Sequence, residues 1–250
     1  NMSLRGARLN VAICEAMRDR LLAEGIPPER IAVVHNWADP GVRPISPDEN
    51  PLRKAWGLEG KFVVGYSGNL GRAHMPDRVA DLVRLTAGKD GIMWLFVGGG
   101  AGIAKLREIV AAERLPNVAF RPYQPRALLA HSLSAPDAHL VSVDPACEGL
   151  IMPSKLYGAM AAGRPILLLG SSSFPRSRVH PLSASVITLP LDRLEERVAA
   201  ILDALRAAAS VPADGERTPP PLGQHRASAQ PLAAWTEIVT ASLHPIRTTA

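Results

Sequence analysis

The chain is poor in several things. Its two cysteines, Cys14 and Cys147, stand too far apart for a disulfide framework or a CxxC metal knuckle, which points to a reducing compartment. Four Phe, four Trp and three Tyr in 250 residues are too few to interleave with basic residues as a stacking surface, so nucleic acid is not an expected partner. No run approaches the roughly 18 to 20 apolar residues of a membrane-spanning helix, and the longest, such as 93–97 and 166–169, are strand-sized. The first eight residues carry no apolar core of a secretory signal, and Asn1 ahead of Met2 suggests a piece of a longer protein.

Two familiar phosphate motifs are missing as well. The run Gly98-Gly99-Gly100-Ala101-Gly102 follows an apolar segment, but GxGxxG counted from Gly98 needs glycine at 103, where Ile103 stands. Gly60-Lys61 and Gly88-Lys89 lack the upstream glycine of a P-loop. A dinucleotide site and a P-loop ATPase are therefore set aside, and these glycines read as close approach to a ligand or as a bare turn. His35, His74 and His139 have no metal-ligand spacing, and Cys147 has no evident base beside it. His139 reads as a core residue on a strand. Asp144 and Glu148 read as a solvated loop more readily than as a carboxylate pair.

What is present is an ordinary globular composition, 47% hydrophobic and 20% charged, with 28 Lys+Arg against 23 Asp+Glu and a net charge of +5. That balance suits anionic partners without selecting one. Short apolar runs alternate with helical periodicity. Strands are expected at 61–66, 93–97, 118–121, 138–143, 165–169 and 185–189, with helices at 76–85, 102–115, 126–133, 154–162 and 192–207. Strict alternation with apolar strands predicts an α/β fold, a doubly wound parallel sheet of the Rossmann type. Ahead of it, residues 10–34 read strand, helix, strand, the end of some α/β domain, and residues 36–40 make a turn. The organisation expected is 1–40 as that remnant and hinge, 41–210 as the Rossmann-like domain, 211–231 as a Pro-rich linker and 232–250 as a last helix and tail. Trp37 and Trp235 are expected to pack the hinge and that last helix.

In such a sheet, ligands bind beyond the carboxyl ends of the strands. Ser67-Gly68-Asn69-Leu70-Gly71-Arg72 follows the first strand, where amide groups near the glycines and the forked Arg72 suit an anion. A second loop joins strand to helix from Asp144 to Ser154. Ser154 is placed as an N-cap, Lys155 lies beside the helix start, Gly163 stops the helix, and Pro165 prevents its continuation.

Three stretches in this order resemble glycosyltransferase family 4, retaining enzymes of the GT-B fold. They are Val33-Val34-His35-Asn36-Trp37-Ala38-Asp39, Tyr66-Ser67-Gly68-Asn69-Leu70-Gly71-Arg72, and Glu148-Gly149 through Pro153-Ser154-Lys155 to Ala161-Ala162-Gly163-Arg164-Pro165. The likeness spans about residues 10–205 and is nearest to bacterial members that build surface polysaccharide. It implies a nucleotide-diphospho-sugar donor, UDP-linked by expectation, held by this C-terminal half. Arg72 and Lys155 would neutralise the diphosphate, assisted by amides near Gly68 and in Gly149 to Ile151, with Asn69, Leu150 and Ser154 beside them. Tyr123, in the loop Arg121-Pro122-Tyr123-Gln124, would frame the base, and Glu148 would hold sugar hydroxyls or face the anomeric centre. No metal and no cofactor is expected, since the side-chain cations take that electrostatic role.

The sequence departs from the family pattern in two places. Gly158 stands where a ribose-binding glutamate precedes Ala159-Met160-Ala161, and His74-Met75 stands where many relatives have a phosphate-binding lysine. The acceptor, a polysaccharide or a lipid-linked sugar, would belong to a missing N-terminal domain or a partner chain. The isolated chain is therefore expected to bind donor without turning over. A cytoplasmic place follows, with peripheral contact at the inner face of the membrane if Arg78, Arg84, Arg121 and Arg126 form a basic face. The alternatives are a non-catalytic nucleotide-sugar-binding subunit and a GT-B sugar-nucleotide epimerase.

Overall fold

The structure, a computed structural model, describes residues 2–89, 91–147, 149–170 and 186–210. Glu148, the connection 211–231 and the helix expected at 232–243 with Trp235 lie outside the described residues.

The chain begins with a short helix α1 (Met2–Gly6), then β1 (Asn10–Ala12), α2 (Glu15–Ala23) and β2 (Ile31–Val33). β1 and β2 pair in parallel as a separate two-stranded sheet, with Asn10 beside Ile31. The strand-helix-strand expectation for 10–34 holds with shorter strands, while α1 and the next helix, α3 (Pro51–Ala55), were not anticipated. α3 is set by local chemistry: the Asn50 side chain accepts from the Leu52 amide at 3.1 Å, and Pro51 occupies the first helical position.

Six apolar runs then become six parallel strands: β3 (Phe62–Asn69), β4 (Ile92–Gly99), β5 (Val118–Arg121), β6 (Ala138–Val143), β7 (Ile166–Gly170) and β8 (Val186–Leu189). Their spatial order is β5-β4-β3-β6-β7-β8. Counted from the first of the six this is 3-2-1-4-5-6, the doubly wound order, and the winding reverses between β3 and β6. The crossovers carry α4 (Pro76–Thr86), α5 (Ala101–Glu113), α6 (Leu129–Ser134) and α7 (Lys155–Ala161), and α8 (Leu194–Ala209) follows β8. On one face, Val79, Leu82 and Val83 of α4, Ile103 and Leu106 of α5 and Val198, Leu202 and Leu205 of α8 cover Tyr66, Trp94 and Phe96. On the other face, α7 and Cys14 from the N-terminal segment cover β6 and β7, and Leu58 and Ala135 cover β3 and β4. Being buried on both faces is why the central strands read as continuous apolar runs rather than as alternating ones.

At the amino ends of the strands, Arg53 is nearly fully buried and donates to Ala135 O at 2.7 Å, Asp137 Oδ1 at 3.0 Å and Lys61 O at 3.1 Å. Asp137 Oδ2 in turn accepts from the Val63 amide at 2.7 Å. This buried pair locks α3 to β3 and to the start of β6, at the end of the sheet opposite the site loops.

Candidate functional site

At the switch point, the loops after β3 and β6 leave in opposite directions and open a crevice between them. They are tied together across it. The Asp144 amide donates to Ala73 O at 2.9 Å, Ser142 Oγ donates to His74 O at 2.8 Å, and His74 Nδ1 donates to Ser142 O at 2.7 Å. Arg72–His74 form one 3₁₀ turn, and Met75 then adopts a left-handed conformation before Pro76 opens α4. Proline disfavours a right-handed helical residue ahead of it, so the turn and α4 stay distinct.

Lys155, the first residue of α7, reaches back across this crevice. Its Nζ donates to Asn69 O at 3.3 Å, lies 3.1 Å from His74 Nε2 and stands 5.0 Å above the Tyr66 ring. Its stem passes over Gly68, whose Cβ position would stand 3.4 Å from Lys155 Cε, at contact distance. Partial burial lowers the Lys155 ammonium to a pKa of about 8. Burial also lowers the His74 imidazolium, against the pull of its bond to Ser142 O, and the Lys155 charge lowers it further. At neutral pH the pair is therefore one cation and one neutral ring. Because a carbonyl only accepts, Nδ1 carries the imidazole proton, and Nε2 offers its lone pair to Lys155. The Tyr66 hydroxyl, whose pKa burial raises, donates to Asn69 O at 2.9 Å.

The structure brings Gly68, Asn69 and Lys155 together as expected. Tyr123 joins them from the loop after β5: it is 61% exposed, and its Cε2 lies 3.4 Å from where a Cβ of Gly99 would stand. Arg72 is exposed at the start of the 3₁₀ turn, with no ion pair among the described residues. Leu150 is exposed, and Gly149, with φ +74°, lies against Ala16 O of the N-terminal segment, 3.6 Å from where its Cβ would be. Glu148 lies outside the described residues, so its expected role receives no geometry.

Four expectations need correction. β3 runs on to Asn69 rather than ending at Tyr66, so Gly68 belongs to a ladder opposite Gly98 instead of a free turn. The amides of Leu150 and Ile151 both donate to Cys147 O, at 3.0 and 3.1 Å, because the chain turns tightly there, and they are not available to an anion. Ser154 occupies the N-cap position but has helical backbone angles, φ −61° and ψ −24°, and its side chain makes no capping bond. A capping hydroxyl folds back only from an extended backbone. The start of α7 is instead tightened by Leu156 N to Pro153 O and Tyr157 N to Ser154 O, each 3.1 Å. The C-terminal end is as read: Gly163 is left-handed, and the bonds Gly163 N to Met160 O and Arg164 N to Ala159 O close a Schellman motif.

The fourth concerns the arginines. Arg84 pairs with Glu113 and Asp81, Arg78 with Asp81, and Arg126 with Asp39. Arg121 donates to the Trp56 and Phe120 carbonyls and lies 5.8 Å from the Trp56 ring. Three of the four are paired with carboxylates and Arg121 is held by backbone carbonyls, so the four do not form a continuous uncompensated basic face. His139 is the core residue expected, 3% exposed and bonded to Leu133 O at 2.7 Å. Cys14 and Cys147 are free. At Gly158, an added Cβ would lie 3.2 Å from Leu133 Cδ1, so a side chain there would begin against α6. Among the described residues no helix is long and apolar enough to cross a membrane, and no three His, Cys, Asp or Glu side chains cluster as metal ligands do.

The residue missed in the sequence is His74 as partner of Lys155. The two are 81 positions apart, and the only signal was that His74 stands where relatives have lysine.

No protein-family model matches the chain. Its sequence is similar to the probable glycosyltransferase WbjE of Pseudomonas aeruginosa, 26% identical over 153 residues, covering 61% of this chain and 38% of that protein. It is also similar to the putative colanic acid biosynthesis glycosyl transferase WcaI of Escherichia coli K12, 27% identical over 157 residues and covering 60% and 38%. The chain thus spans well under half the length of these relatives. In fold it matches the Anabaena protein Alr3699/HepE crystallised with UDP and glucose, with a TM-score of 0.72 at 17% identity over 96% of this chain and 65% of that one. WaaG, a glycosyltransferase involved in lipopolysaccharide biosynthesis, gives a TM-score of 0.70 at 15% identity over 92% and 62%. The six-stranded parallel sheet and its flanking helices match in fold the Rossmann-like α/β domains of these two proteins.

Proposed function

We propose that this chain is the donor-binding half of a retaining glycosyltransferase, which transfers a sugar from a nucleotide-diphospho-sugar, UDP-linked, to a polysaccharide or lipid-linked acceptor. The observation that carries this reading is the convergence of Lys155, Asn69 and Gly68 at the strand-order switch, with Tyr123 at its side. It is supported by sequence similarity to glycosyltransferases and by a fold shared with a protein crystallised with UDP.

In this reading, the diphosphate lies over the crevice between the β3 and β6 loops. Lys155 meets it from α7, and Arg72 swings in from the 3₁₀ turn. As the bond from the anomeric carbon breaks, its electron pair stays on the distal phosphate oxygen, and the two cations stabilise that charge more in the transition state than in the ground state. Tyr123 offers a ring face for the base. The acceptor is brought by a domain or partner preceding the β1–α2–β2 segment, whose Ala16 carbonyl already borders Gly149 of the donor loop. Closing the two halves would align donor and acceptor and exclude water.

Calorimetric titration with UDP, GDP, ADP and dTDP tests this. Selective binding of one diphosphate, weakened by both Arg72→Ala and Lys155→Ala, is expected. Binding unaffected by either substitution would move the site elsewhere.

A further inference from the structure

We propose that His74 is a positioning residue for Lys155: a neutral imidazole, tied through Nδ1–H to Ser142 O, that seats the lysine ammonium through Nε2 and leaves one of its protons directed to the donor diphosphate. This rests on the donor-site reading above.

The geometry leaves the imidazole little choice. Nδ1 is 2.7 Å from a carbonyl that can only accept, so in the neutral ring Nε2 has a free lone pair, and it lies 3.1 Å from Lys155 Nζ. The ring is held on both sides. Its own carbonyl accepts from Ser142 Oγ at 2.8 Å, and the edge of the Tyr66 ring faces it at a centroid distance of 6.2 Å. The ammonium has three protons. One points to His74 Nε2, a second to Asn69 O at 3.3 Å, and the third is left for a ligand. A lysine at position 74 would add charge but could not accept from Lys155, so the histidine exchanges one cation for a fixed direction of the other.

A second proton on His74 would end this arrangement. Nε2 would become a donor 3.1 Å from an ammonium, two positive groups in a half-buried place. Among the described residues, the other charged or titratable groups around His74 are Tyr66 from β3, Arg72 in its own turn, Asp144 beyond the end of β6 and Lys155 from α7. Of these, only Asp144 is an acid, and its Oδ1 is engaged by the Ala146 amide at 2.9 Å. Acidification should therefore unseat Lys155 rather than strengthen the grip on phosphate.

The test uses UDP-glucose, whose diphosphate diester has no group titrating near neutrality, and measures its affinity calorimetrically from pH 5 to 7.5. In the unaltered chain affinity should be flat near neutrality and fall on the acid side. His74→Ala should lose roughly tenfold at pH 7, the scale of one charge-assisted hydrogen bond. His74→Gln, which keeps an oxygen acceptor and does not titrate, should recover most of that loss and show no acid fall. Affinity that rises on acidification would make His74 a second phosphate cation, and an acid fall surviving in His74→Gln would assign it elsewhere; either overturns the proposal. Imidazole titration followed by nuclear magnetic resonance without any nucleotide separates this from failure of the donor-site reading. Lys155→Met should raise the His74 pKa, and an unchanged titration would overturn the pairing even if UDP-glucose binds. If no nucleotide-sugar binds while that shift is seen, the pairing stands and the donor-site reading fails.

Discussion

Gly98 presses against Gly68 across the β3–β4 ladder so closely that a Cβ on Gly98 would lie 2.3 Å from the Gly68 carbonyl oxygen. The same run continues the contact: a Cβ on Gly100 would be 2.1 Å from Asn69 Oδ1, and one on Gly102 would be 2.6 Å from Leu70 O. These glycines bring the second βα turn against the first, and so back the segment on which Lys155 rests. The sequence left close approach to a ligand or a bare turn open for that run; the structure shows a third arrangement, close approach to the protein's own Gly68, Asn69 and Leu70.

Gly98→Ala should therefore cost roughly 3 kcal/mol or more, since it combines a backbone clash with a φ of +137° that alanine avoids. Calorimetric melting should show a large fall in Tm. Gly88→Ala, with nothing within 4 Å of the new methyl, is the matched control and should shift stability by less than about 1 kcal/mol. Equal melting of the two variants would contradict the packing role.

The Lys155 charge gives nucleotide binding an alkaline limit. With a pKa near 8 in the free chain, the lysine is mostly charged at pH 7 and loses its proton as pH rises through 8. An anion favours the charged form, so affinity should be highest below pH 8 and decline above it. Lys155→Arg should bind more weakly at pH 7, because a planar fork does not fit the His74 acceptor, and should lack the alkaline decline. Titrations at pH 7, 8 and 9 on both proteins check this.

Removing Arg53 should be severe. It leaves Asp137 without its ion-pair partner in a nearly buried place, with side-chain exposures of 9% for Arg53 and 16% for Asp137. Arg53→Met is expected to lose about 3 to 5 kcal/mol, as breaking one side of a buried pair does. Adding Asp137→Asn, which removes the stranded charge and keeps an oxygen for the Val63 amide, should restore part of the loss. Urea unfolding of the two single variants and the double variant closes the cycle; strict additivity would show that the pair is not coupled.

His139 makes the fold acid-sensitive. Burial lowers its pKa to about 4, while in the unfolded chain it is ordinary, near 6.5. The unfolded state therefore binds the proton first, and stability is lost as pH falls from about 6.5 towards 4, by roughly 3 kcal/mol in all. His139→Gln keeps a donor for Leu133 O and does not titrate, so its chemical denaturation midpoint should change less over this range. A parallel slope in both proteins would place the acid sensitivity elsewhere.

How much of this was legible beforehand follows from what is local. The strand at 138–143 was readable to the residue, because a strand buried on both faces announces itself as an apolar run between turn residues; the partly buried edge strand at 118–121 was readable from its short run between turn residues. Gly163 as a helix stop was readable because a left-handed C′ residue needs glycine. α3 was missed because its five residues carry no periodicity, only the Asn50 cap. Ser154 was misread because residue type indicates a cap, whereas backbone angle decides whether it forms.

By itself the sequence determined the order of strands and helices and the two loops that meet at the switch point, since both follow from periodicity and turn chemistry within a few residues. The tertiary structure alone decided which residues share the site. His74 and Lys155, 81 positions apart, and Arg53 and Asp137, 84 apart, meet only because β3 and β6 became neighbours with the winding reversed between them. Strand order is a property of the whole sheet, settled by which faces the helices cover, and no local pattern encodes the distance between two loops that it brings together.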